Sequence, residues 1–287
     1  MENILELQQV SKTFPKSNFT LKNVTFSLPY GAILGFVGEN GAGKTTTIGC
    51  ILNTITKDSG TVKLFGQEML DADTILREKI GVVYDGDNFP PYWTAKQLSE
   101  VMEGLYTQWD NSLFQKYLED FQLPAKQKIK HYSRGMTMKL AIAAALAHHP
   151  ELLILDEATN GLDPVVREEL MGELQKYIEN GERSILFSTH VLSDLEEIAD
   201  YITFIDNGRI ILQKPKDEML EEYMIIKGDY GNLTEQQKKY LIGVENKNYG
   251  FEALIESNNA QNFDGQFVFE KPNVSQIMLH TIKEGRM

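Results

Sequence analysis

The chain has 287 residues, a formal net charge of −13 and a pI near 4.9, which leaves room for one large domain with a smaller companion. The acidic balance argues against the basic face of a nucleic-acid binder, and a single cysteine, Cys50, excludes an internal disulfide. No apolar run approaches the roughly 20 residues that cross a bilayer, and residues 1–6 lack the basic-then-apolar pattern of a signal peptide.

Residues 4–10 and 21–28 alternate apolar and polar positions and predict two strands, joined by a loop that carries Phe14. The apolar run 32–37 predicts a buried strand. It leads into Gly38-Glu39-Asn40-Gly41-Ala42-Gly43-Lys44-Thr45-Thr46, after which residues 47–52 continue as a helix. This is G-x-x-x-x-G-K-[ST] between a strand and a helix. Glycines let successive backbone N–H groups curl around an anion, and the helix N-terminus adds partial positive charge. Lys44 then reaches the β- and γ-phosphates of a nucleoside triphosphate, and the Thr45 hydroxyl ligates Mg²⁺.

Residues 61–65 and 80–84 predict further strands, the second ending at Asp85. A loop with three aromatics, residues 88–93, opens a stretch of helical spacing that runs to residue 149, with Thr94 and Gln97 forming a capping box. Residues of about 88–150 therefore read as a helical subdomain inserted into a strand-rich core. Leu152-Leu153-Ile154-Leu155-Asp156-Glu157 is a buried strand that delivers two carboxylates to its exposed end. Asp156 is placed to hold Mg²⁺, and Glu157 to accept a proton from an attacking water. Pro164 starts a helix over 165–178, residues 184–187 form a strand ending at Ser188-Thr189-His190, and 191–199 return to helix. Residues 201–205 and 209–212 predict a hairpin turning at Asp206-Asn207-Gly208. Beyond about residue 214 the pattern is that of a small α+β accessory domain, closing with a helix over 274–282 and exposing loops at 246–250 and 257–265. His148 and His149 sit at a helix end, and His131 and His280 read as surface residues.

With these motifs in order, residues 3–213 resemble the ATP-binding subunits of ABC transporters. Tyr132-Ser133-Arg134-Gly135-Met136 stands where that family carries its signature, usually L-S-G-G-Q. Residues 158–164, with Asp163, resemble its D-loop, His190 its switch histidine, and Phe14 the aromatic that stacks on adenine. The resemblance implies an α/β phosphate-loop ATPase core with a β subdomain, using ATP and Mg²⁺. It further implies a dimer, homo- or heteromeric, in which Ser133, Arg134 and Gly135 of one chain cap the ATP held by the other. Membrane-spanning permease subunits would be separate chains, and this subunit would lie in the cytoplasm on the inner face of the membrane. The C-terminal stretch looks like the tails of bacterial exporter ATPases for bacitracin, drugs or peptides. Two departures from the family pattern stand out: the signature is degenerate, with Arg134 replacing its first glycine, Met136 its glutamine and Tyr132 its leucine, and Asp85 stands in place of a glutamine that contacts metal and water.

Overall fold

A computed structural model describes residues 2–17, 19–69, 73–86, 88–247, 250–263 and 265–286. Strands β1 (Asn3–Thr13) and β2 (Thr20–Pro29) pair antiparallel. β3 (Ile33–Val37) runs into the phosphate loop and α1 (Lys44–Ile51). β4 (Ser59–Leu64), β5 (Gln67–Glu68) and the short α2 (Thr74–Glu78) lead to β6 (Ile80–Tyr84). The inserted helices are α3 (Ala95–Leu105), α4 (Asn111–Asp120) and α5 (Arg134–Leu146). The Thr94–Gln97 capping box is formed as the residue types require. The chain returns through β7 (Leu152–Asp156), α6 (Pro164–Ile178), β8 (Ser184–Thr189), α7 (Leu192–Ile198), β9 (Tyr201–Asp206) and β10 (Arg209–Pro215). Asn207 and Gly208 both take positive φ, the left-handed pair that a two-residue hairpin turn needs.

Six strands form the central sheet in the order β10-β9-β3-β8-β7-β6, parallel except for β10 at its edge. Both faces are covered, which is why its strands read as continuous apolar runs. Leu153, Leu155, Ile185 and Phe187 face the helices and share their core with Leu98, Phe114 and Leu140. The alternate residues Leu152, Ile154 and Leu186 face α1 and the antiparallel sheet β2-β1-β4-β5, meeting Leu5, Phe26 and Ile48. Each fully buried Leu or Ile contributes about 1.5–3 kcal/mol. The consequence for function is geometric: β3, β8, β7 and β6 are consecutive neighbours, so their C-terminal ends and the loops behind them lie along one rim.

The C-terminal part adds α8 (Lys216–Glu222), β11 (Tyr223–Gly228), α9 (Glu235–Lys238), β12 (Ile242–Lys247), β13 (Gly250–Glu256), β14 (Val268–Glu270) and α10 (Val274–Arg286). Its sheet is antiparallel in the order β12-β13-β11-β14. One face holds Ile226, Phe251 and Phe267, while Ile225, Leu254, Val274 and Ile277 join the core of the main body. The carboxylate of Glu196 on α7 accepts from the backbone N–H of Val274 at 3.0 Å, so α10 is tied to the helix after His190.

The sequence expectations need three corrections here. Residues Ser257–Asn262 form a 3₁₀ helix rather than a loop. Of the loop expected over 246–250, residues 248 and 249 lie outside the described residues, and Lys247 pairs with Gly250 as the end of a hairpin. His280 is fully buried, not on the surface. Gly243 lets β12 approach α10 so closely that a Cβ there would sit 2.0 Å from the His280 carbonyl, and the ring Nδ1 lies 2.6 Å from the Gly243 carbonyl. His280, Glu245 and Glu252 converge within 4.8 Å. The ammonium groups of Lys247 and Lys283 already stand 3.0 and 3.2 Å from one Glu245 oxygen, and Lys227 stands 3.4 Å from Glu252. This is an ion-pair network that pins α10, and a metal ion placed there would be repelled by the lysines.

Candidate nucleotide site

The rim of the central sheet encloses a 660 Å³ cavity lined by Asn40, Gly41, Gly43, Lys44, Thr45 and Thr46 from the loop after β3. Tyr84 and Asp85 from the end of β6, and Asp156 and Glu157 from the end of β7, complete its polar wall. A 720 Å³ depression beside Tyr30 and Pro150 lies elsewhere and lacks this convergence of phosphate loop and carboxylates. Two backbone hydrogen bonds lock the strand ends in step: Asp85 N–H donates to the Asp156 carbonyl at 2.9 Å, and Glu157 N–H to the Ser188 carbonyl at 2.8 Å. Gly38 is required because a Cβ there would lie 2.4 Å from the Ile205 carbonyl oxygen. Gly38, Glu39 and Ala42 support the loop from behind rather than lining the cavity: the Gly38 and Glu39 carbonyls accept from Lys44, and the Ala42 carbonyl accepts from Gly208 N–H.

Lys44 is buried, with its ammonium donating to the Gly38 carbonyl at 2.7 Å and 3.2 Å from Glu157 Oε1. The other Glu157 oxygen lies 3.2 Å from His190 Nδ1. Glu157 is therefore bracketed by the two residues that its proposed chemistry needs. Its backbone is left-handed, with φ +56°, a conformation costing about 1–3 kcal/mol for a residue with a Cβ. The fold holds it there through the hydrogen bond to Ser188 and a turn in which Asn160 N–H donates to the Glu157 carbonyl at 3.1 Å.

Asp156 is buried, and its Oδ1 has no hydrogen-bond partner among the described residues. Burial pushes its carboxyl above the ordinary range; the hydroxyls of Thr45 and Ser188 oppose that rise, and the neighbouring Glu157 charge adds to it. An orphaned carboxylate oxygen beside the Thr45 hydroxyl, with the Asp85 carboxylate on the same cavity wall, is an all-oxygen donor set suited to Mg²⁺.

The aromatic on the cavity wall is Phe19, not Phe14. Gly43, at φ +119°, allows this: a Cβ there would lie 2.9 Å from Phe19 Cζ. Phe14 lies at the other end of the connection, with its N–H donating to the Phe19 carbonyl and Lys12 over its ring. Phe19 and Tyr84 were not expected as site residues. Nothing in the strand pattern marks Phe19, because the path of the β1–β2 connection decides which ring reaches the loop.

Ser133, Arg134, Gly135 and Asp163 are not among the residues lining this cavity. Ser133 caps α5, its hydroxyl accepting from Met136 N–H at 3.2 Å. Asp163 caps α6, accepting from Val166 N–H at 3.1 Å. Gly135 packs against Val166, where a Cβ would approach to 3.2 Å. Arg134 turns back within the chain, its Nη2 donating to Asp85 Oδ1 at 2.6 Å. A second cavity of 410 Å³, lined by Asp85, Phe89, Pro91, Lys130, Tyr132 and Arg134 among others, adjoins the first at Asp85. Among the described residues no helix is long and apolar enough to cross a membrane.

Known proteins are similar to this chain in sequence and fold. The profile of the family described as ABC transporter matches residues 21–160. The bacitracin transport ATP-binding protein BcrA of Enterococcus faecalis is 35% identical over 213 residues, covering 74% of this chain and 69% of the relative. The lantibiotic transport ATP-binding protein SrtF of Streptococcus pyogenes is 35% identical over 231 residues, covering 76% of this chain and 95% of that protein. Among solved structures, an ATP-binding subunit of an ABC transporter superposes with a TM-score of 0.69 at 26% identity, over 75% of this chain and 91% of that one. The dimeric post-hydrolysis state of the ATP-binding cassette MJ0796, bound to ADP and Pi, gives 0.66 at 25% identity, over 74% and 98%.

Proposed function

The chain belongs to the ABC transporter family as an ATP-binding subunit, and from that premise we propose that it powers export of an antimicrobial peptide through separate membrane subunits. Its activity is ATP hydrolysis. The cargo class is taken from relatives that transport bacitracin and a lantibiotic. The observation that carries the reading is Glu157 held between Lys44 and His190 at the rim of the sheet.

In this mechanism the curled N–H groups of residues 40–46 and the N-terminus of α1 hold the phosphates. Lys44 exchanges its contacts with the Gly38 carbonyl and Glu157 for the β- and γ-phosphates. That exchange frees Glu157 Oε1 to take the proton of a water aligned on the γ-phosphorus. His190 keeps the other Glu157 oxygen in place and stands beside the transferred phosphoryl group. Thr45, Asp156 and Asp85 would hold Mg²⁺, which when bound neutralises charge developing on the phosphate oxygens. Ser133, Arg134 and Gly135 act on the nucleotide of a second copy or of a paired ATPase subunit, because their own cavity does not contain them.

Residues 1–213 form the nucleotide-binding domain on this reading, with a helical subdomain at about 88–150. Residues 214–287 are an accessory domain with a core of its own around Phe251 and Phe267. The groove beside Phe89 and Lys130 is the surface offered to the membrane subunits, which hold the chain at the cytoplasmic face. The test is resistance. Cells that produce the chain with its membrane subunits should survive bacitracin or a lantibiotic, and Glu157→Gln should abolish that survival while the complex still assembles. A parental level of resistance with Glu157→Gln would refute the proposal.

A further inference from the structure

Two of the residues at which this chain leaves its family's pattern touch each other. Arg134 Nη2 and Asp85 Oδ1 are 2.6 Å apart, although they lie 49 residues apart in sequence. The pair is semi-exposed, the side chains retaining 53% and 33% of their accessible surface. Its surroundings give it meaning beyond a surface ion pair. Asp85 follows β6 and lines both the nucleotide cavity and the adjoining groove, and Arg134 lines only the groove. The guanidinium also packs on Gly161, where a Cβ would lie 3.2 Å from Arg134 Cζ. One arginine at the first turn of α5 thus touches the loop after β6 and the loop after β7 together.

Each partner has a competing use. An unpaired Asp85 carboxylate would add negative charge beside Asp156, Glu157 and the incoming phosphates; Arg134 compensates it. Arg134, in turn, is the signature cation available for a nucleotide bound by a second chain. It cannot serve that nucleotide and Asp85 with the same Nη2 in the same geometry.

We propose that Asp85 and Arg134 form an exchangeable pair, in which Arg134 positions Asp85 in the isolated subunit and leaves it when two subunits close on nucleotide. Asp85 then turns to the metal side of its own cavity, and Arg134 turns to the phosphates held by the other chain. The pair sets a threshold against closure: the signature cation is withheld until Asp85 has an alternative partner. This rests on the composite-site reading above and adds to it the cis contact that must break. Arg134 is a positioning residue for Asp85 in the open state.

The test is a double-mutant cycle on dimerisation, made in the Glu157→Gln background so that turnover does not interfere. Sedimentation gives the Mg·ATP concentration at half-maximal dimer, and a fluorescent ATP analogue gives nucleotide affinity of the monomer. Asp85→Gln keeps a polar side chain at the metal but removes the charge that holds Arg134, so it should lower the half-maximal concentration about two- to fivefold. Arg134→Ala should raise it. In the Arg134→Ala background, Asp85→Gln should shift it by less than ~1.5-fold, because the contact is already gone. Raising salt from 50 to 500 mM should weaken closure of the parent less than that of Asp85→Gln, since screening weakens the opposing pair as well as the phosphate contacts that both proteins share. Equal effects of Asp85→Gln with and without Arg134 would overturn the exchange while leaving the composite site standing. If no variant dimerises although each binds the ATP analogue, both the exchange and the composite site between copies of this chain fall.

Discussion

The site after β3, β7 and β8 and the signature at the start of α5 use the same physics, a helix N-terminus with bare backbone N–H groups, but they are finished to different degrees. In the first, Lys44, Asp156 and Glu157 line one cavity, and Glu157 contacts both Lys44 and His190. In the second, Ser133 is occupied in capping its own helix and Arg134 is paired with Asp85, with no cavity of phosphate-binding character beside them. On the composite-site proposal, one chain carries one nucleotide half and one waiting half. The lesson is that phosphate-binding chemistry in a helix start depends on what the rest of the fold aims at it.

The contrast is broken most severely by Lys44→Ala. It removes a charge-assisted contact of roughly 1.5–3 kcal/mol, so monomer affinity for ATP should fall by about 10- to 150-fold in calorimetry, with the fold intact. Unchanged affinity would mean that the phosphate loop is not the binding half.

Asp156→Asn probes the strain within the nucleotide half. Burial raises the Asp156 carboxyl above its unfolded value of 3.8. For an acid so shifted, nucleotide-free stability is greatest below the unfolded pKa and declines as pH rises through the folded one. The asparagine should thus raise the melting temperature at pH 7 without Mg²⁺ by about 2–4 °C while lowering hydrolysis, with the gain vanishing near pH 4. A melting temperature lowered at pH 7 would show that the carboxylate is already compensated.

Ser133→Ala sharpens the comparison from the other side. Loss of the cap should cost about 1 kcal/mol of stability, read as a lower denaturant midpoint, with ATP affinity of the monomer unchanged. A fall in monomer affinity would place the signature in its own chain's site.

The smallest effect is expected at the aromatic wall. Phe19→Ala should weaken ATP binding two- to fivefold, in line with the ~0.5–1 kcal/mol of an exposed ring contact, whereas Phe14→Ala should change it less. The reverse order would restore Phe14 as the stacking ring.

These residues also show what the sequence made legible. The phosphate loop, Asp156, Glu157 and His190 were readable because each is fixed by a strand immediately before it, and strands announce themselves through apolar runs. The sheet order brings those strand ends together. Phe19, Tyr84 and the Asp85–Arg134 contact were not readable, since they depend on how loops cross the rim. His280 read as exposed because one polar residue in an amphipathic helix normally faces water. Only the close approach at Gly243 reveals the buried ion-pair network that takes it in. β12 was missed because its pattern is half polar, reflecting Glu245 and Lys247 in that same network.

The most direct measurement is the mass of Glu157→Gln with saturating Mg·ATP, by sedimentation with nucleotide counted. The waiting half of each chain closing on the nucleotide half of the other should give a species of twice the 32.6 kDa chain mass with one ATP per chain, reverting to single chains when ATP is removed. A 32.6 kDa species that holds ATP at every concentration, from a protein whose parent still hydrolyses it, would show that a single chain suffices and contradict the composite site.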